Sequence, residues 1–166
     1  MEGKKERLLP CSAMAGRSTS AKLSGMIEIE SSPWLAMVLH AERTYPNECC
    51  GAMLGHIRAE DKLVVEAVAL ANAFSGERRA RYELRPEDLL EADRAARTRG
   101  LDLIGIFHSH PDCDAYFSDT DLKHSCPWYS FVVLSVYNGK FDHARSFLPD
   151  ADQTRADDEE LVWPKS

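Results

Sequence analysis

The sequence predicts one compact domain of the α/β or α+β class, in which a curved, mostly antiparallel sheet is flanked by two larger helices and one short helix. Three features predict this class. Two helical patterns lie among runs rich in valine, an Asn-Gly pair separates two further β-rich runs, and the length of 166 residues suits a single domain with its own core.

The helices are predicted from their start and stop signals. Ser31-Ser32-Pro33 begins the first, because serine is a common N-cap and proline favours the first turn, and this helix should end before Pro46. Proline followed by acidic residues begins the second, which covers residues 86–100 and ends at a glycine after basic residues. Residues 118–125 predict a short third helix with a serine or aspartate cap.

Five runs of β-branched and aromatic residues predict the strands. They cover residues 50–57, 63–70, 101–107, 129–137 and 140–148. A charged turn joins the first two, and Asn138-Gly139, a strong two-residue hairpin signal, joins the last two. The apolar run between these hairpins suits a buried central strand.

Both ends of the chain are predicted to lie outside the domain as solvated tails. Residues 1–25 are rich in lysine and arginine, whereas the segment after Pro149 contains a run of aspartates and glutamates. The predicted organisation is therefore a flexible N-terminal extension at 1–25, a domain at 26–149 and an acidic C-terminal tail at 150–166.

Composition excludes several classes of protein. A formal charge of −7 argues against a general nucleic-acid binder, and no apolar run is long enough for a membrane span. The apolar part of the N-terminal segment is too short for a secretory signal. Five cysteines without a Cys-x-x-Cys pair do not suggest a disulfide framework or a zinc knuckle, so a reducing cytoplasm is expected.

Two histidines and one aspartate are spaced as a metal-binding set. His108 and His110 follow the predicted central strand and point to one face of it, because side chains alternate along a strand. Asp121 lies in the first turn of the short helix, and a loop turning at Pro111 can return it to the strand end. Two imidazoles and a carboxylate form a catalytic zinc set that leaves one position for water.

The whole string carries more weight than any single histidine, which is more often a surface or core residue. The string consists of His108-Ser109-His110-Pro111, six residues, Ser118, two residues and Asp121. It resembles the signature of the JAMM (MPN-plus) zinc metallopeptidases at every defining position. Pro46-Asn47-Glu48-Cys49-Cys50-Gly51 fits the place where that family carries an upstream glutamate. The resemblance extends from about Met26 to Pro149.

This resemblance implies a cytidine-deaminase-like JAMM fold and one zinc ion per chain. The implied ligands are His108, His110 and Asp121, and Glu48 would act as general base and then general acid. Ser118 matches the family serine that stabilises the oxyanion, although a plain helix cap is an alternative role for it.

The implied reaction is hydrolysis of a peptide or isopeptide bond. The chain lacks room for the long insertions of eukaryotic deubiquitinases, so it looks like the compact prokaryotic members that cut after the Gly-Gly end of ubiquitin-like or sulfur-carrier proteins. A cell-wall or phage-tail peptidase is an alternative, because Cys126-Pro127-Trp128 is reminiscent of that group, although no second domain follows residue 149. A non-catalytic MPN scaffold is a third possibility, disfavoured because every expected ligand is present. The oligomeric state stays open.

Weaker signals leave alternatives open. The arginines at 78, 79, 81 and 85 could dock an acidic partner or belong to an ordinary solvated loop, with the second reading favoured. Asn72 and Tyr82 could line a groove, but nothing in the pattern singles them out. Cys49 and Cys50 are expected to be small buried apolar side chains.

Overall fold

The architecture is taken from a computed structural model, which describes residues 25–165. Seven strands and three helices follow one another in this part of the chain. They are β1 (Met26–Ile29), α1 (Ser31–Thr44), β2 (Cys50–Arg58), β3 (Asp61–Leu70), α2 (Pro86–Arg97), β4 (Asp102–Pro111), α3 (Asp119–Lys123), β5 (Ser130–Tyr137), β6 (Lys140–Pro149) and β7 (Ala156–Val162).

The strands form a closed barrel in the order β1-β3-β2-β4-β5-β6-β7. The hairpins β2–β3 and β5–β6 are antiparallel as predicted, and Asn138 and Gly139 both have positive φ angles at the second turn. The prediction of a curved sheet flanked by helices is wrong in one respect, because the observed strands close into a barrel. β1 pairs in parallel with both β3 and β7, and these two terminal strands, which the sequence pattern did not reveal, close the sheet.

The predicted acidic tail is also wrong for part of its length. β7 pairs antiparallel with β6 and parallel with β1, so residues 156–162 belong to the barrel. The physical reason is that one acidic residue of this strand, Glu159, is buried and neutralised by partners far away in sequence. The predicted flexible extension at 1–25 lies, except for Gly25, outside the described residues.

The two larger helices pack on different groups of barrel residues because side chains of β2 alternate in direction. Met53 joins the core that includes Trp34 and Met37 of α1, whereas Ala52 and Leu54 join the core of α2. The helix bounds agree with prediction within a few residues, except that Glu30, rather than a serine, is the N-cap of α1. No helix in the described part is long and apolar enough to cross a membrane.

Candidate metal and catalytic site

The last residues of β4 bring two imidazoles together inside the protein. β4 continues through Pro111, so His108 and His110 are strand residues on one face rather than residues of the following loop. Both are buried, and their Nε2 atoms are 3.2 Å apart. β2 and β5 pair with β4 on either side and hold it in place.

Asp121 reaches the histidines from the first turn of α3. Ser118 and Asp121 form a capping box, in which Asp121 Oδ2 accepts hydrogen bonds from the Ser118 backbone N–H at 2.9 Å and from its hydroxyl at 2.7 Å. This arrangement leaves Asp121 Oδ1 facing His108 Nε2 at 3.5 Å. Helix capping therefore fixes the orientation of the carboxylate as well as the start of the helix.

The donor set fits a zinc ion. One ligand atom from each of His108, His110 and Asp121 lies within 4.8 Å of the other two, and all three residues are buried. Tetrahedral zinc with bonds of about 2.0–2.1 Å separates its ligands by roughly 3.4 Å. The Nε2–Nε2 distance of 3.2 Å and the distance of 3.5 Å from His108 Nε2 to Asp121 Oδ1 are close to that value, and His110 Nε2 lies 3.9 Å from Asp121 Oδ2.

The second nitrogen of His110 favours the form of the ring that binds a metal. Nδ1 of His110 lies 2.9 Å from the backbone carbonyl oxygen of Asp114, which can only accept, so the proton belongs on Nδ1 and Nε2 keeps its lone pair. Burial and the neighbouring His108 lower the pKa of His110 to about 4, so this ring is neutral at physiological pH.

His108 and Asp121 behave as a charge pair when no metal is present. Burial alone would lower the pKa of His108, but the charge of Asp121 and a hydrogen bond to it outweigh burial and raise the pKa. Burial would raise the pKa of Asp121, but His108 and Ser118 outweigh that effect and hold it well below its usual value. A divalent cation would replace the shared proton, which is the usual coupling of metal binding to proton release.

Glu48 lies beside these residues because of the pairing of β2 with β4. Cys50 lies opposite His108 in this antiparallel pairing. The Ser109 N–H donates a hydrogen bond to the Cys49 carbonyl at 3.1 Å, which places these two residues opposite each other. Glu48 therefore comes opposite His110. Its side chain is buried. Burial raises the pKa of Glu48 to about 8, with His108 lowering it and Asp121 raising it. A carboxyl group with a pKa near neutrality suits proton transfer in both directions.

Several hydrogen bonds fix the backbone around Glu48. Its N–H donates to the Arg78 carbonyl at 2.7 Å, and its carbonyl accepts from the Asn72 side-chain amide at 3.2 Å. The N–H of the next residue, Cys49, donates to the Ser109 hydroxyl oxygen at 2.8 Å. The candidate base is thus tied to the loop after β3 and to the residue between the two histidines.

A cavity of about 660 Å³ opens onto Glu48, His110 and Asp121. The Tyr82 ring forms part of its wall and stacks on the His108 ring, with a centroid distance of 4.5 Å. A second cavity of about 370 Å³ shares Tyr82 and Asp121 with the first. Its wall also contains the apolar residues Leu84, Leu89, Ile106 and Phe131.

The arginines of the loop over the site make contacts within the protein. Arg79 pairs with Asp112 at 2.7 Å, and Arg85 pairs with Asp88 at 2.9 Å. Arg78 donates to the Phe74 carbonyl at 2.7 Å, and the Arg81 guanidinium lies over the Phe74 ring. These contacts shape the loop, and Arg79 and Arg81 also line the cavity at Glu48 and His110.

Sequence reasoning did not single out Tyr82, Asn72 or Ser109, which support the site. Their partners, His108, Glu48 and Cys49, lie 24 to 60 positions away along the chain. A spacing pattern carries no signal for such pairs. By contrast, Cys49 and Cys50 are buried as expected, and burial raises the pKa of each thiol to about 12.

Comparison with known proteins finds prokaryotic and phage relatives. A desampylase from Haloferax volcanii is 34% identical over 91 residues, which are 54% of this chain and 63% of that protein. A CysO-cysteine peptidase from Mycobacterium tuberculosis is 29% identical over 116 residues, covering 68% of this chain and 75% of the relative. Tail tip assembly protein K of Escherichia phage N15 is 33% identical over 99 residues, covering 57% of this chain and 36% of that protein.

Structure and family comparison agree with these matches. A solution structure of a protein from Desulfitobacterium hafniense superposes with a TM-score of 0.73 and 28% identity, covering 85% of this chain and 94% of the other. The model of the family described as prokaryotic homologs of the JAB domain matches residues 31–148. That match includes Glu48, the two histidines, Ser118 and Asp121, and it confirms the resemblance found in the sequence. The chain belongs to the prokaryotic JAB-domain family.

Proposed function

We propose that this protein is a zinc-dependent hydrolase that cuts a peptide or isopeptide bond after the C-terminal Gly-Gly of a ubiquitin-like or sulfur-carrier protein. The observation that carries the proposal is the buried set His108, His110 and Asp121 with the buried carboxyl of Glu48 beside it. Two imidazoles, one carboxylate ligand and a separate carboxyl group are the parts that metal-assisted amide hydrolysis needs.

The roles of the residues follow from their positions. The two histidines and Asp121 would hold a zinc ion, which would supply the Lewis acidity that polarises a scissile carbonyl and lowers the pKa of water. Glu48 accepts a proton from the attacking water as the C–O bond forms, and it delivers that proton to the amine as the C–N bond breaks. Burial raises the pKa of Glu48, and a raised pKa favours uptake of a proton from water.

We assign Ser118 a second role besides capping α3. Its hydroxyl lies 2.7 Å from Asp121 Oδ2, and Ser118 also lines the cavity that holds Glu48 and His110. A hydroxyl that turns from Asp121 towards a bound substrate would donate to the oxygen that gains negative charge in the transition state.

The substrate class is inferred from the relatives and from the shape of the site. The relatives include proteins named desampylase and CysO-cysteine peptidase, and the compact chain resembles them. The tail would pass as an extended segment beside Tyr82, where a glycine backbone can approach closely without a side chain.

A cell-wall or phage-tail peptidase is the second candidate. Its support is the match to the phage tail tip protein, although this match spans only 36% of that protein. The two candidates differ in substrate and share the metal site and Glu48, so substrate specificity separates them.

The deciding experiment uses a sulfur-carrier protein that ends in Gly-Gly-Cys. We expect the zinc-loaded enzyme to remove the terminal cysteine, and to leave intact a carrier whose last glycine is replaced by valine. Intact-mass spectrometry of the carrier before and after incubation measures this. Equal cleavage of both carriers would contradict the glycine requirement, and cleavage of cell-wall peptides alone would favour the second candidate.

The matched control is Glu48→Gln, which keeps the size and shape of the side chain. We expect this variant to retain about one zinc per chain by elemental analysis and to lose most of its activity, because an amide cannot accept the proton of water. Loss of zinc from the variant would instead make Glu48 a fourth ligand and the site a structural one.

A further inference from the structure

His143 on β6 is connected to the candidate metal ligand His110 through a single peptide group. Nδ1 of His110 donates to the carbonyl oxygen of Asp114 at 2.9 Å. The N–H of the same peptide group, that of Ala115, donates to Nε2 of His143 at 3.1 Å. Ala115 is buried, so this peptide group lies within the protein.

The neighbour of His143 sets the direction of these hydrogen bonds. Asp142 Oδ2 lies 2.6 Å from Nδ1 of His143. With the proton on Nδ1 facing that carboxylate, Nε2 carries the lone pair that the Ala115 N–H requires. The chain of donors therefore runs from His110 to Asp114, across the peptide group from Ala115 to His143, and on to Asp142.

We propose that His143 is a positioning residue for the metal centre, and that it acts by holding the 114–115 peptide group in the orientation that fixes the His110 ring. A hydrogen bond donated by the N–H of a peptide group polarises that group and strengthens its carbonyl as an acceptor. A stronger acceptor at His110 Nδ1 makes Nε2 a better ligand and restricts rotation of the ring. The proposal rests on the zinc site of the proposed function.

Other contacts keep the segment folded without His143, which makes the role testable. Ser135 donates its hydroxyl to the Cys113 carbonyl at 2.6 Å, and Arg145 donates to the Ala115 carbonyl at 3.4 Å. Neither contact holds the N–H of Ala115. Removing the acceptor on His143 should therefore loosen one peptide group rather than unfold the loop.

The test measures zinc affinity by competition with a chelator. We expect His143→Leu to weaken zinc binding about tenfold, at the lower end of the 10–100-fold range known for outer residues of metal sites. His143→Gln should restore most of the affinity, because its side-chain oxygen can accept near the position of Nε2. His56→Leu, a histidine replacement on β2, is the matched control and should leave affinity unchanged.

Thermal unfolding of the metal-free variants separates positioning from a general loss of stability. Weaker zinc binding in His143→Leu, with metal-free stability equal to that of His143→Gln, would support the proposal. Equal zinc affinity in the unaltered chain and His143→Leu would overturn it while leaving the zinc site intact. An unaltered chain that binds no zinc would overturn the centre itself, and this inference with it.

Discussion

Asn72 shows how one side chain can organise the surroundings of a candidate base. Its amide donates to the carbonyls of Glu48 and Arg81 at 3.2 and 3.1 Å. Its oxygen accepts from the N–H groups of Phe74 and Glu83 at 3.0 and 3.1 Å. Asn72 therefore closes the base of the loop that covers the site and attaches this loop to Glu48.

We predict that Asn72→Ala lowers both stability and activity. Four hydrogen bonds are removed, and because each contributes about 1 kcal/mol or less where partly exposed, the free energy of unfolding should fall by roughly 2 kcal/mol. Hydrolysis should slow by about tenfold or more, since a small displacement of a catalytic group is costly. Denaturant unfolding and steady-state kinetics measure the two effects.

Asn72→Asp is the matched variant, because it keeps the acceptor oxygen and loses the two donated bonds. Kinetics as slow as those of Asn72→Ala, with less loss of stability, would assign the catalytic effect to the bonds that the amide donates to the Glu48 and Arg81 carbonyls. Unchanged kinetics in both variants would contradict a role for Asn72 in placing the base.

At the scale of residues, the sequence was informative where chemistry requires a local spacing. His108, His110 and Asp121 lie within 14 positions and are brought together as expected. Asn72 and His143 could not be recognised, since each acts on a residue at least 24 positions away through a backbone group. Backbone hydrogen bonding places few constraints on residue type, so it leaves little trace in a single sequence.

At the scale of elements, hydrophobic patterning predicted five strands and missed the two that close the barrel. β1 has only four residues, and β7 reads Ala-Asp-Asp-Glu-Glu-Leu-Val, which is too acidic for a typical strand. The structure compensates for that charge. Glu159 of β7 accepts hydrogen bonds from Ser130 and Ser146 and lies 3.5 Å from the Lys62 ammonium nitrogen.

We predict that Glu159→Ala destabilises the fold by about 3–5 kcal/mol, because it leaves the Lys62 charge buried without its partner. The Lys62 side chain is only 10% exposed and the Glu159 side chain is fully buried. Glu160→Ala is the control, since Glu160 is exposed on the same strand. Guanidinium unfolding of the two variants provides the comparison, and equal small effects would mean that the pair of Glu159 with Lys62 contributes little to stability.

At the scale of the whole molecule, the candidate metal ligands come from two separate elements of the chain. His108 and His110 belong to β4, whereas Asp121 belongs to α3, a helix of five residues that lies outside the barrel. Sequence patterning predicted each element separately, but the closed barrel sets how they meet. A cation bound by both elements would cross-link a short helix to a central strand, and only the folded chain offers this set of ligands.

This linkage predicts that zinc raises the unfolding temperature. A ligand at about 100 times its Kd stabilises the folded state by roughly 2.7 kcal/mol, and 1 kcal/mol corresponds to about 2–4 °C for a chain of this size. We therefore expect the melting temperature to fall by roughly 5–10 °C when a chelator removes zinc. The His108→Ala, His110→Ala double variant should melt at the same temperature with and without zinc. An equal zinc-dependent shift in that variant would mean that zinc binds elsewhere, for example at cysteine thiols of the described residues, and would contradict the site as drawn.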